Sequence, residues 1–213
     1  MTVNKKHIAI ILDFLEKTYP DVVTQLRHEN PFQLLCATIL SAQCTDRQVN
    51  AVTPALFARF KTPKDFAEAD IAEIEALIRP TGFFHAKAKK LKGCAEALIT
   101  RHGGEVPRDM DSLLALPGVG RKTANVVLNA AFGVPGIVVD THVKRIAFRL
   151  GLTRETDPEK IEYDLMAVLP EKTWIAFSLE LIYHGRALCT ARKPRCPECG
   201  LYPICPRSGV KPG

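Results

Sequence analysis

Apolar residues recur at three- and four-residue spacing in segment after segment of this chain, and that periodicity most narrows the fold it can adopt. In residues 3–19, starting at Val3, Ile8, Ile11, Leu12 and Leu15 fall on one helical face before Pro20 stops the run. Asn30-Pro31 reads as a cap with proline at the first helical position, and residues 32–40 are apolar nearly all round, as a buried helix should be. Residues 46–60 are periodic again, with Pro54 expected to kink or split the helix. Asp70-x-x-Glu73 has the form of a capping box for a short helix ending at Pro80. Further helical segments read at about 85–101, 110–116, 120–132 and 140–150; Asp157-Pro158 opens another, and 172–188 gives the last. Only 136–139 looks strand-like, and it is too short for a sheet. The expected class is all-α, with ten or so helices, short connections, and neither internal repeats nor low-complexity segments.

A chain of 213 residues fits one large domain or two small ones. With 46% hydrophobic and 24% charged residues it is globular, which excludes disordered and fibrous classes. No apolar stretch approaches the ~20 residues of a membrane span, so no membrane is expected among its partners. Asp13, Glu16 and Lys17 interrupt the apolar positions that begin at Ile8, so that segment does not read as a signal peptide. A cytoplasmic, nucleoid-associated location follows as an expectation. So does a monomer, since no long apolar seam suggests an obligate oligomer.

Charge and cysteine are unevenly placed. The net charge is +6, and the segment 186–213 carries six basic residues (Arg186, Arg192, Lys193, Arg195, Arg207, Lys211) against the single acid Glu198. A second basic run, Lys87, Lys89, Lys90 and Lys92, follows Gly82-Phe83-Phe84-His85. Such local positive fields attract polyanions, nucleic acid above all; the plainer reading of the 87–92 run is a solvated helix face. Of seven cysteines, Cys36, Cys44 and Cys94 are scattered and read as buried small side chains. Cys189, Cys196, Cys199 and Cys205 fall within 17 residues, which in a chain without a secretory signal points to a metal site rather than disulfides.

Leu116-Pro117-Gly118-Val119-Gly120-Arg121-Lys122-Thr123-Ala124 joins two helical segments. Two glycines bracketing one residue allow a tight turn with exposed backbone N–H groups, and Gly120 opens a helix whose N-terminus carries partial positive charge. Together they form a phosphate seat that reads no base sequence. A generic helix-to-helix turn also uses glycine, but Arg121 and Lys122 directly after it favour function. Lys122 sits in the first helical turn beside Arg121, and both the dipole and that neighbour favour its neutral amine. An ordinary lysine gives up about 4 kcal/mol to expose a free amine at neutral pH, so a site that lowers this cost holds a nucleophile able to form a Schiff base. Eighteen residues on, Val138-Val139-Asp140-Thr141-His142 places a carboxylate at a helix start. A plain N-cap and a catalytic carboxylate are compatible readings of Asp140.

Four thiolates spaced Cys189-x6-Cys196-x2-Cys199-x5-Cys205 hold either Zn²⁺ or a [4Fe–4S] cluster, and spacing does not choose between them. Pinning the intervening loop would orient Arg192, Lys193 and Arg195 toward a phosphate backbone.

The hairpin with Lys122, the Val-Asp-Thr-His at 139–142 and the cysteine spacing resemble the endonuclease III family. The likeness extends to Ser41-Ala42-Gln43-Cys44-Thr45-Asp46, Gly104-Glu105-Val106-Pro107 and His184-Gly185-Arg186, and so covers essentially the whole chain. It implies a two-domain helix-hairpin-helix DNA glycosylase fold. A six-helix barrel would span residues 21–135, a discontinuous iron–sulfur domain 1–20 with 136–213, and the active-site cleft would lie between them. It implies a bifunctional DNA glycosylase and AP lyase that takes oxidised pyrimidines or abasic sites in duplex DNA. Lys122 would attack C1′ and break the strand by β-elimination, with Asp140 assisting. The four cysteines would hold a [4Fe–4S] cluster. DNA contacts are expected at Gln43, Phe83, Gly118, Val119, Gly120, Arg121, His142, Arg192, Lys193 and Arg195. Two departures from the family pattern stand out. Phe83-Phe84-His85 replaces Leu-Tyr-Asn, making the wedge aromatic, and Cys44 replaces an alanine, a small-for-small change expected to pack. The rival readings are a monofunctional mismatch or adenine glycosylase, which Lys122 opposes, and a non-catalytic DNA-binding module.

Overall fold

Polar caps and prolines punctuate the chain into eleven α-helices among its described residues, with no strand. The computed structural model describes residues 4–210; Val3 and Lys211 lie outside them. The helices are α1 (Lys5–Thr18), α2 (Pro31–Leu40), α3 (Asp46–Arg59), α4 (Pro63–Glu68), α5 (Ile71–Ile78), α6 (Phe84–His102), α7 (Met110–Leu114), α8 (Arg121–Phe132), α9 (Thr141–Arg149), α10 (Pro158–Val168) and α11 (Trp174–Ala187). They divide into two compact units. One is Thr24–Val134; the other joins the segment up to Val23 to the residues from Pro135 onward. Among the described residues, no helix is long and apolar enough to cross a membrane.

In the unit Thr24–Val134, α2 is the central rod, starting where Asn30 accepts the Gln33 N–H at 2.9 Å and Pro31 fills the first position. Every residue from Phe32 to Leu40 is buried, so α2 packs on several sides at once, with contacts to α3, α6 and α8. Phe66 sits edge-on to Phe32 and tilted against Phe60, with centroids 5.5 and 5.1 Å apart. Burying side chains of this size contributes roughly 1.5–3 kcal/mol each.

Two local expectations need correction. Pro54 does not split α3, which runs through it as a single element because Val49, Val52, Thr53 and Leu56 bury both halves while Pro54 stays exposed. Asp70 does cap α5, accepting from Ala72 N–H at 3.0 Å, but Glu73 turns away to Arg59, where two N–H···O bonds offer more than one backbone amide. The reciprocal capping box belongs instead to Thr62 and Asp65, which open α4, a six-residue helix that periodicity is too short to reveal.

The lysine run is a solvated face only in part. Lys89 and Lys90 are exposed, but Lys87 is buried and donates to the carbonyls of Leu40 and Thr81, both at 2.8 Å. Lys92 donates to Ala67 and Ala69 at 2.7 Å each. Leu40 and Ala67 lie at the ends of α2 and α4, where carbonyls lack intrahelical partners and the dipole favours a cation. Burial, with the charge of Lys90 adding to it, pulls the pKa of Lys87 below the ordinary lysine value, and nearby Cys44 opposes this.

In the other unit, α1, α9, α10 and α11 enclose a core that includes Ile11, Leu15, Val143, Ile146, Ile161, Leu165, Phe177 and Leu181. Residues 136–139 are buried without pairing as a strand; the Val138 N–H is satisfied by Ser178 Oγ on α11 at 3.0 Å.

Candidate active site and cysteine-lined centre

The hairpin between α7 and α8 is fixed by two apolar anchors. Leu116 and Val119 are buried in the core, which leaves Pro117, Gly118 and Gly120 facing outward. The Val119 N–H closes the turn on the Leu116 carbonyl at 3.1 Å. Gly118 has φ +81°, and a Cβ there would come within 2.8 Å of the Lys90 Cβ, so glycine is required both by conformation and by the close approach of α6. Pro117 packs over Gly93 on the same helix.

Gly120 is the N-cap of α8 and brings no side chain to the first amides of that helix. Arg121, half-buried, and Lys122, exposed, occupy the same first turn as these amides and add to their partial positive charge. The arrangement places a primary amine next to a backbone seat for one phosphate.

Two further turns in this unit hold exposed side chains in left-handed backbone. Gln43, in the turn from α2 to α3, has φ +52°. Phe83, the N-cap of α6, has φ +50°, and 67% of its surface is exposed. A non-glycine residue here is uncommon, and a large exposed aromatic ring more so.

In the unit from Pro135 onward, Asp140 caps α9. Its Oδ1 accepts from both the His142 and Val143 amides at 2.8 Å, so the helix fixes the carboxylate through one oxygen. His142 is half-buried and directed inward: its Nδ1 lies 3.1 Å from Arg145 Nη2, over Gly185, where a Cβ would come within 2.5 Å of it.

Cys189, Cys196, Cys199 and Cys205 line one cavity, walled also by Ile146, Leu150, Leu188 and Leu201. Among the described residues, no three His, Cys, Asp or Glu side chains gather closely enough to hold a metal ion at a point. Burial pushes the thiols of Cys199 and Cys205 up, and the charges of the neighbouring cysteines add to the effect. Arg149, itself buried, donates to Cys189 Sγ at 3.2 Å and to the carbonyls of Thr190 and Ala191 at 2.8 and 2.9 Å. Arg145 reaches the Cys189 carbonyl at 3.0 Å. His184 is buried against Phe14 and Tyr19, its pKa pushed down to about 4 by burial. Its Nδ1 meets Tyr19 Oη at 3.0 Å and its Nε2 lies 3.7 Å from Cys199 Sγ.

Of the three loop cations, Arg192 and Lys193 are exposed. Arg195 is exposed as well, but Glu198 at 3.0 Å and the Ala187 carbonyl at 2.6 Å tie it to its own loop. Sequence reading missed Arg145, Arg149 and Tyr19. The one signal for the arginines was their i, i+4 spacing on the helix that begins after Asp140.

Residues 36–171 match the family described as HhH-GPD superfamily base excision DNA repair protein. The chain is 54% identical to the endonuclease III of Synechocystis sp. over 97% of its own length and 94% of that protein. It superposes on the structure of a trapped endonuclease III–DNA covalent intermediate, an estranged-adenine complex, with a TM-score of 0.91, 45% identity and 96% of each chain covered. Similarity also extends to a thermostable thymine-DNA glycosylase, at TM-score 0.81 and 27% identity over 94% of this chain and 95% of that one.

Proposed function

This chain belongs to the HhH-GPD superfamily of base excision DNA repair proteins, and from that premise we propose that it is a bifunctional DNA glycosylase and AP lyase acting on oxidised pyrimidines in duplex DNA. The observation that carries the reading is the exposed amine of Lys122 on the first turn of α8, beside the Gly118–Gly120 turn.

The hairpin amides take one phosphate, which places the adjoining sugar within reach of that amine. The Nζ lone pair of Lys122 forms the bond to C1′ as the glycosidic C–N bond breaks, its electrons leaving with the base, which takes up a proton. Loss of the amine proton and opening of the sugar give a Schiff base at C1′. Removal of a C2′ proton then expels the 3′ phosphate by β-elimination. Asp140, held through one oxygen by its cap bonds, is the carboxylate for acid/base work and for stabilising positive charge on the sugar. Gln43 and Phe83 enter the duplex where the damaged base has left, and an extruded base costs least where it is already poorly stacked. Arg121 supports the phosphate seat.

Cys189, Cys196, Cys199 and Cys205 line one cavity, so their thiolates could each bind one iron of a [4Fe–4S] cluster, the group that the family resemblance implies. Arg149 supplies positive charge and an N–H donor at Cys189, and the neutral imidazole of His184 stands beside Cys199. When bound, the cluster pins the loop bearing Arg192 and Lys193 for phosphate contact; the excision chemistry draws nothing else from it. The protein works as a monomer, in the cytoplasm alongside the nucleoid.

Borohydride trapping on a duplex containing thymine glycol tests the core of this reading. Wild type should yield a covalent protein–DNA adduct and Lys122→Ala none. Base release without an adduct in either protein would replace the reading with a monofunctional, water-using glycosylase.

A further inference from the structure

Gln43 and Phe83 sit 40 residues apart in sequence, each at the tip of a turn that an L-residue enters only at about 1–2 kcal/mol. Such conformations persist where the surroundings over-determine them. What the two turns share is Lys87. Its Nζ lies 2.8 Å from the carbonyl of Leu40, three residues before Gln43, and 2.8 Å from the carbonyl of Thr81, two residues before Phe83. Its backbone amide closes the first turn of α6 on the Phe83 carbonyl at 3.1 Å. One ammonium within bonding distance of both carbonyls sets the separation of the two turns, and the rigid helix that carries it sets their orientation. Only 4% of Lys87 is exposed, so it does not contact DNA itself.

We propose that Lys87 is a positioning residue for damage recognition, clamping the two left-handed turns so that Gln43 and Phe83 enter the duplex as one unit. This rests on the reading of Gln43 and Phe83 as the inserting pair. The separation matters because two probes tied to independent loops would each lose their own freedom on entering DNA. Two probes on one clamp are ordered before binding. A neutral side chain would leave two carbonyls unpaired at helix ends; an arginine would keep the charge but push the carbonyls apart with its broader fork.

A clamp and a mere stabilising staple differ in what they do to two reactions. Excision of thymine glycol from duplex needs both probes inserted, whereas cleavage of a preformed abasic site in single-stranded DNA needs neither. Lys87→Met keeps the aliphatic stem and removes the donors. It should lower kcat/KM for duplex excision at least tenfold while single-strand abasic cleavage stays within twofold, both measured well below the variant's Tm. Lys92→Met serves as the control, since it too removes a lysine bonded to two carbonyls, those of Ala67 and Ala69, but away from both probes. It should lower Tm without separating the two activities. Lys87→Arg should show the same split as Lys87→Met, about threefold.

Equal loss of both reactions in Lys87→Met, or no loss in either, would overturn the clamp and leave a staple. If Lys87→Met does not fold, an arginine variant without the split overturns it just as well. Gln43→Ala and Phe83→Ala separate the two levels of the argument. Should both excise thymine glycol from duplex like wild type, the inserting-pair reading fails and the clamp with it. Should they lose excision while the Lys87 variants do not, only the clamp fails.

Discussion

A methyl group at position 118 has nowhere to go. The backbone there is left-handed, at φ +81°, and the Lys90 stem occupies the space from 2.8 Å outward. Gly133 shares the first problem, at φ +64° behind α8, but has nothing within 4 Å of where its Cβ would stand. Gly133→Ala should therefore cost about 1 kcal/mol, and Gly118→Ala about 2 kcal/mol or more, since it adds overpacking to the conformational term. At roughly 2–4 °C per kcal/mol for a chain of this size, thermal melts separate the two variants. DNA affinity should fall only for Gly118→Ala; equal melts and equal affinities would mean that the hairpin is pliable. The motif Gly-x-Gly was legible because its reason is local, a turn closed within four residues. The Lys90 stem beneath it was not, because that contact exists only once α6 and the hairpin are folded together. Asp140 was legible as a cap for the same reason as the glycines: the cap bonds are to its own neighbours, His142 and Val143.

Among the elements, α1 and α11 pack together and carry a buried carboxyl between them. Glu180 on α11 is 5% exposed, and burial, reinforced by Glu16 on α1, raises its pKa from 4.5 to about 7. Between those pH values the folded chain keeps a proton that the unfolded chain has released. This contribution to stability is therefore full below pH 4.5 and is lost as the pH rises through 7. Glu180→Gln mimics the protonated form at every pH. It should be more stable than wild type at pH 8, by roughly 2–3 kcal/mol, with the gap closing toward pH 5. Urea midpoints at the two pH values measure this, and midpoints that differ equally at both would show that Glu180 does not titrate in that range. Helix boundaries set by adjacent caps, such as Asn30-Pro31 before α2, could be read from sequence. Helix α4 could not, since six residues give no period to detect, even though its Thr62–Asp65 box was present. The direction of Lys87 and Lys92 was also hidden. Their targets are helix-end carbonyls 47 and 25 residues away, and no local pattern distinguishes a lysine that caps another helix from one that faces water.

For the whole molecule, a net charge of +6 describes attraction to a polyanion only where the cations are free to meet it. Folding removes several from that role. Lys87 and Lys92 bind carbonyls, Arg149 grips the cysteine loop, and Arg195 ties that loop to Glu198 and Ala187. Arg192 and Lys193 remain exposed between Cys189 and Cys196. Each phosphate neutralised contributes about 0.9 to the slope of log K against log salt. Replacing both residues with alanine should therefore flatten the slope for undamaged duplex by about 1.8. Arg195→Ala should change it by much less than one, acting instead through the loop it anchors. The measurement is an affinity series in potassium chloride from 50 to 200 mM on one duplex, with the three proteins side by side. Flattening by about 0.9 in Arg195→Ala would mean that its ion pair opens on DNA and that all three loop cations reach phosphate. No flattening by the double variant would move the phosphate contacts elsewhere, with the hairpin cation Arg121 the next to neutralise. Sequence composition supplied the size of the field, and the cysteine spacing located the loop. The number of cations available for DNA depends on which of them the fold has already bound.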